Sequence, residues 1–180
     1  FLFSVSACLI VKILDIKNHL LQILLSATLL TFPSLTGTFS FMFTAASYGL
    51  AFLFSVTSVY LFIKKSTTCK LFGIFIFILS LSIYQAYLAI TASLLLIRLL
   101  KLALYTEKSA KEIIIESFFS FLMLAVSLII YYGITQLSLK ILDVSMNSYA
   151  SNNFTLFENN ILSSVFQTLR YFFDVLTRGN

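Results

Sequence analysis

The stretch SLSIYQAYLAI, Ser80 to Ile90, sets a Tyr-Gln pair near the middle of 27 uncharged residues, 71–97, between Lys70 and Arg98. A glutamine amide in hydrocarbon has no water to bond and is costly unless it finds a partner. A membrane helix needs about 20 apolar residues, rising about 1.5 Å each, to cross about 30 Å. Twenty-seven residues are long for one span and short for two. The stretch is therefore either one tilted helix or a short helical hairpin with Tyr84 and Gln85 at its apex. In either case Gln85 must meet the membrane surface, protein, water or a ligand.

Working outward, the composition names the solvent. Of 180 residues, 59% are hydrophobic and 11% charged, with a mean hydropathy of +0.99. A soluble domain has roughly 45–50% apolar and about 25% charged residues, so this chain reads as an integral membrane protein. Apolar stretches recur along most of its length, unlike the single apolar stretch of a signal peptide. One proline and five glycines leave no flexible linker. The chain opens on Phe1 inside an apolar stretch, and we read it as an internal piece of a larger membrane domain. The net charge of +5 does not point to nucleic acid, because the cations lie between apolar runs, where they set topology. Cys8 and Cys69 have no metal-ligand spacing, and His19 reads as a solvated loop residue.

Candidate spans are Phe1–Leu14, Leu20–Phe32, Tyr48–Ile63, Leu71–Ile97 and Ile113–Leu139. Three basic clusters separate them: Lys12 and Lys17; Lys64, Lys65 and Lys70; Arg98, Lys101, Lys108 and Lys111. The positive-inside bias assigns all three to the cytoplasm. That requires an even number of crossings between successive clusters. One rising and one descending helix satisfy it between Lys17 and Lys64, with an outer turn over residues 32–47 broken by Pro33 and Gly37. Between Lys70 and Arg98 the same rule favours the short hairpin over the single span. From Lys70 to Tyr84 is about 21 Å of helix, so the apex is expected to be recessed below the outer surface.

The expected fold is all-α: a polytopic bundle with about six membrane helices, two of them short and paired, over residues 1–142. Residues 143–180 are expected to form an outer loop and an amphipathic helix, from the Asn- and Ser-rich run at 146–160 and the spacing of Ile161, Leu162, Val165, Phe166, Leu169, Phe172 and Phe173.

Chemistry-bearing residues are few. Asp15, Glu107, Glu112 and Glu116 fall at the cytoplasmic edge, interleaved with lysines as on a solvated helix end. Asp143, Glu158 and Asp174 fall on the outer side, where spacing assigns none of them a role as base. Asn153-Phe154-Thr155 is a weak match to a glycosylation sequon. No metal or nucleotide motif is visible, and no cofactor is assigned. Tyr48, Tyr60, Tyr131 and Tyr132 suit interface anchors. Tyr84, Gln85 and Tyr87 cluster at one turn, and aromatic faces beside an amide suit the C–H faces and hydroxyl edges of a sugar ring.

The stretches at 32–62, 79–102 (with SIYQAY) and 131–153 (with LSLKILDVSMNSY) resemble, in order, the bacterial serotype-converting membrane glucosyltransferases of Gtr type II, within the wider GT-C class. The resemblance implies transfer of a glucosyl unit from a polyprenyl-phosphate donor to a cell-surface glycan such as O-antigen. The reaction would occur on the extracytoplasmic face of the inner membrane. It also implies a catalytic acid in an outer loop ahead of Phe1. Relatives tend to carry an acid near Ala46 and Ser47, where this chain is neutral, a departure that counts against an ionic role for that turn. With Tyr48 added, the expected substrate-binding residues are Tyr48, Tyr84, Gln85 and Tyr87.

Two other classes compete. A transporter or flippase of lipid-linked sugars calls for pseudo-repeats and polar residues at mid-membrane depth, which the sequence does not display. A scaffold calls for small-residue helix interfaces and tolerance of change at Tyr84 and Gln85.

Overall fold

The structure is a computed structural model that describes residues 1–31, 42–106, 109–144 and 170. Among them are six α-helices and no strand: α1 (Leu2–Ile13), α2 (His19–Thr31), α3 (Met42–Phe62), α4 (Thr67–Ile83), α5 (Tyr87–Tyr105) and α6 (Ala110–Leu142). Three of them, α3, α5 and α6, are long and apolar enough to cross a membrane. Helices α1, α2 and α4 are apolar but shorter, with 12, 13 and 17 residues. Six membrane helices were expected, and three reach spanning length. The expected short pair consists of one shorter helix, α4, and one of spanning length, α5.

Local chemistry sets the helix ends. Asn18 caps α2, its Oδ1 accepting from the backbone N–H of Leu20 at 2.9 Å and of Leu21 at 3.4 Å. Ser109 caps α6 by accepting from the Glu112 N–H at 3.4 Å. Ser109 and Glu112 have the spacing of a capping box. Asp15 ends α1 with φ of 45°. There Ile16 N–H donates to Val11 O and Asp15 N–H to Lys12 O, the paired bonds of a Schellman ending. Asp143 closes α6 in the same manner, with φ of 50° and Val144 N–H on Leu139 O. Short polar Asp tolerates this left-handed backbone better than the apolar residues around it.

The chain divides into two compact units, Phe1–Ile134 and Thr135–Asn180. In the first, α3 is the hub. Helices α4, α1 and α5 all pack on it, α4 most extensively, and α1 also packs on α2. The reason is visible along one face of α3, where Ala51, Ser55, Ser58 and Phe62 are buried at i, i+4, i+7 and i+11. Small residues let backbones approach, which matters where lipid removes the hydrophobic drive between helices. Gly73 of α4 meets this hub so closely that an added Cβ would lie 2.9 Å from Phe62 Cδ1. Hydroxyls add directed contacts: Ser80 donates to Ala51 O at 2.7 Å, and Ser55 and Thr91 share a bond of 2.6 Å. Leu20, Ile23, Phe72, Phe75, Ile114 and Phe118 are exposed, as side chains facing acyl chains should be.

Several boundaries differ from expectation: α5 runs past the expected end at Ile97, through Arg98 and Lys101, to Tyr105, and α6 is longer than Ile113–Leu139 at both ends. Helix α3 begins at Met42, not Tyr48, so Thr44–Ser47 are helical where an outer turn was expected. Residues 71–97 do not form one helix, because α4 stops at Ile83 and α5 starts at Tyr87. Both α4 and α5 pack more on α3 than on each other. The remainder of the outer turn, residues 32–41, lies outside the described residues. So does the expected loop and amphipathic helix of 143–180, apart from Asp143, Val144 and Arg170.

Candidate functional site

The site is built on the break between α4 and α5. Tyr84 leaves the helix in an extended conformation, with φ of −154° and ψ of 109°, while its N–H still donates to Ser80 O at 2.9 Å. Gln85 and Ala86 then turn the chain. The N–H groups of Tyr87, Leu88 and Ala89 donate to the carbonyls of Tyr84, Gln85 and Ala86, three residues back. These tight bonds satisfy orphan donors at the start of α5.

Rings from three helices converge on this turn. The centroids of Tyr48 and Tyr84 lie 4.7 Å apart, and those of Tyr84 and Tyr87 5.2 Å apart with planes at 78°. Tyr87 meets Phe52 edge-on at 5.8 Å, and Phe52 meets Phe3 at 5.3 Å. These separations suit aromatic pairs that offset or cross their quadrupoles. Gln85 is exposed, and its Nε2 donates to the Tyr131 hydroxyl at 2.7 Å. That bond gives the amide a protein partner.

Tyr48, Tyr84 and Tyr87 therefore sit together, with Gln85 on the same turn and reaching α6. Sequence reasoning missed Phe52 and Phe3, which extend the cluster, and assigned Tyr131 to the interface alone. Phe52 lies one helical turn after Tyr48, which is a usable signal. Phe3 and Tyr131 have no local signal. An apolar groove of about 560 Å³ begins at Tyr84, Tyr87 and Phe52 and continues along Leu25, Leu29 and Leu94.

The opposite ends of α3, α4 and α5 are cationic. Lys64 and Lys12 lie over the Tyr60 ring, 4.6 and 5.4 Å from its centroid, and Lys70 lies 5.2 Å from that of Phe119. Arg98 donates to Glu116 Oε1 at 2.8 Å and to Ile13 O at 3.2 Å. Lys101 bonds the carbonyls of Leu14 and Asp15 and pairs with the Asp15 carboxylate at 3.6 Å. Side chains from all three basic clusters thus gather at one end of the bundle, and the Tyr-Gln turn occupies the other.

A family model described as "Glucosyl transferase GtrII" matches residues 1–178. Comparison with curated proteins and with solved structures finds no match.

Proposed function

The chain belongs to the GtrII glucosyl transferase family, and from that premise we propose that it transfers a glucosyl unit from a polyprenyl-phosphate donor to a cell-surface glycan. In this reading the Tyr-Gln end faces outward from a bacterial inner membrane, and the cationic end faces the cytoplasm. The observation that carries it is the opposition of the two ends along α3, α4 and α5. Lys70 and Arg98 line one groove, while Tyr84 and Tyr87 line the other. Helices α4 and α5 then act as a re-entering pair with its apex at Gln85.

A lipid-phosphate sugar is amphiphilic, and the apolar groove below Tyr84 offers its tail a path beside the helices. Tyr48, Tyr84 and Tyr87 present ring faces and hydroxyls to the glucosyl group. Gln85, oriented by Tyr131, presents an amide to its hydroxyl edge. In the reaction an acceptor hydroxyl oxygen bonds to the anomeric carbon while the bond from that carbon to the phosphate oxygen breaks. The hydroxyl proton passes to a base, and lipid phosphate leaves. No residue among those described is assigned as that base.

The test uses the full-length protein in vesicles loaded with polyprenyl-phosphate glucose labelled in the sugar, with glycan acceptor on the side facing the Tyr-Gln turn. Label entering glycan supports the transferase. Label crossing the membrane still attached to lipid, with none in glycan, replaces it with a flippase.

A further inference from the structure

A second groove, of about 480 Å³, lies at the cationic end between the α3–α4 connection and helices α5 and α6. We propose that it binds an anionic phospholipid of the adjacent leaflet, by its phosphate and the upper part of one acyl chain. This site is separate from the one proposed for glucosyl transfer, and its test does not depend on that activity.

The charges come first. Among the described residues the groove holds Lys64, Lys65, Lys70 and Arg98 against two carboxylates, Glu112 and Glu116. Arg98 is committed to Glu116 and to the Ile13 carbonyl. Among the described residues, none of the three lysines has a carboxylate within ion-pair distance. Lys64 and Lys70 instead rest on the Tyr60 and Phe119 rings. An ammonium has three N–H donors, so Lys64 keeps some free although it also bonds the Tyr60 hydroxyl, and Lys65 is exposed. An anion entering here meets three ammonium groups without first displacing a carboxylate.

The walls argue for a lipid over a free anion. Phe62, Ile63, Ile115 and Phe119 line the same groove, and Ile115 and Phe119 are each 45% exposed. Inorganic phosphate has no use for that apolar surface, whereas a phospholipid places its chain there. Basic pockets between membrane helices on the cytoplasmic side are a recurrent means of holding anionic headgroups.

The experiment purifies the full-length protein from nanodiscs of equal phosphatidylglycerol and phosphatidylcholine and measures co-purified lipid by native mass spectrometry. The wild type should retain phosphatidylglycerol over phosphatidylcholine by about fivefold or more. Lys65→Gln with Lys70→Gln should bring that ratio close to one, and Lys65→Arg with Lys70→Arg should keep it. Millimolar inorganic phosphate should not release the retained lipid. Equal retention of both lipids by the wild type, an unchanged ratio in the Gln pair, or release by phosphate would each overturn the proposal. Melting temperatures of both variant pairs show that the protein compared is folded.

Discussion

Arg98 of α5 and Glu116 of α6 meet at 2.8 Å with side chains 21% and 30% exposed, and the same guanidinium reaches the Ile13 carbonyl that ends α1. One side chain thus ties three helices together at the cationic end. Helix α6 meets the others through side chains, and this pair and the Gln85–Tyr131 bond are directed contacts among them. Glu116→Gln should lower the melting temperature in detergent. In a double-mutant cycle with Arg98→Gln, the coupling should be about 1–2 kcal/mol, because each charge is partly desolvated and hydrogen-bonded. A coupling near zero would make the pair incidental.

Gly73 and Gly133 should respond in opposite ways to the same change. An alanine Cβ at Gly73 would press on Phe62 at 2.9 Å and on Leu61 Cβ at 3.1 Å, whereas nothing lies within 4 Å at Gly133. Gly73→Ala should cost about 1–3 kcal/mol as α4 is pushed off α3. Gly133→Ala should be neutral or stabilising by up to about 1 kcal/mol, through helix propensity. Thermal melts of the two variants check both signs.

The buried hydroxyl pair Ser55 and Thr91 joins α3 to α5 at 2.6 Å, and Ser55 also donates to Tyr87 O at 3.2 Å. Thr91→Val keeps the shape and removes one partner. Interhelical hydrogen bonds in membranes are modest, so the expected loss is about 0.5–1.5 kcal/mol. Reversible unfolding in mixed micelles measures it. A loss well above that range would mean that the hydroxyl pair organises the Tyr87 turn as well as holding the helices.

Cysteine labelling reads the orientation. Gln85→Cys should react with a membrane-impermeant maleimide from the outside of intact cells, and Lys65→Cys only after the cells are opened. Both replaced side chains are exposed, and the native Cys8 and Cys69 are free, so the background requires Ser at both. The reverse pattern would invert the topology and move the proposed site to the cytoplasm.

Much of the helical plan was legible because solvent and charge dictate it. Long apolar runs become helices in lipid, and Lys12, Lys64, Lys70, Arg98 and Lys101, drawn from the three basic clusters assigned to one side, do gather at one end. The break after Ile83 was favoured by the even number of crossings that the basic clusters require, with Gln85 marking its place, although no glycine or proline does. The start of α3 was misread because the outer turn broken by Pro33 and Gly37 was carried on through Thr44 and Ser47, whose hydroxyls suit a loop as well. In this bundle hydroxyls fold back onto carbonyls four residues earlier instead, as Ser6, Thr28 and Ser82 do on Leu2, Leu24 and Ile78. Phe3 and Phe52 could not be chosen among 20 phenylalanines, because only packing distinguishes a ring in the cluster from one facing lipid. The Gln85–Tyr131 bond joins residues 46 apart in sequence, and no local pattern encodes it. Small-residue helix interfaces were expected of a scaffold, and α3 carries one at Ala51, Ser55 and Ser58. Close packing of membrane helices requires such residues in an enzyme too.

The turn at Tyr84 and Gln85 is the central claim, and a rate measurement with the full-length protein bears on it most directly. Glucosyl transfer from labelled donor to glycan is compared for wild type, Tyr84→Ala, Gln85→Ala and Tyr131→Phe, each with its melting temperature. If the turn holds the donor headgroup, Tyr84→Ala and Gln85→Ala should lower kcat/KM by at least about tenfold, since small misplacements of a reacting group are costly. Tyr131→Phe, which releases the Gln85 amide and leaves the turn's own side chains in place, should cost less. Transfer that continues at the wild-type rate in folded Tyr84→Ala and Gln85→Ala would contradict the claim and return these residues to packing between helices.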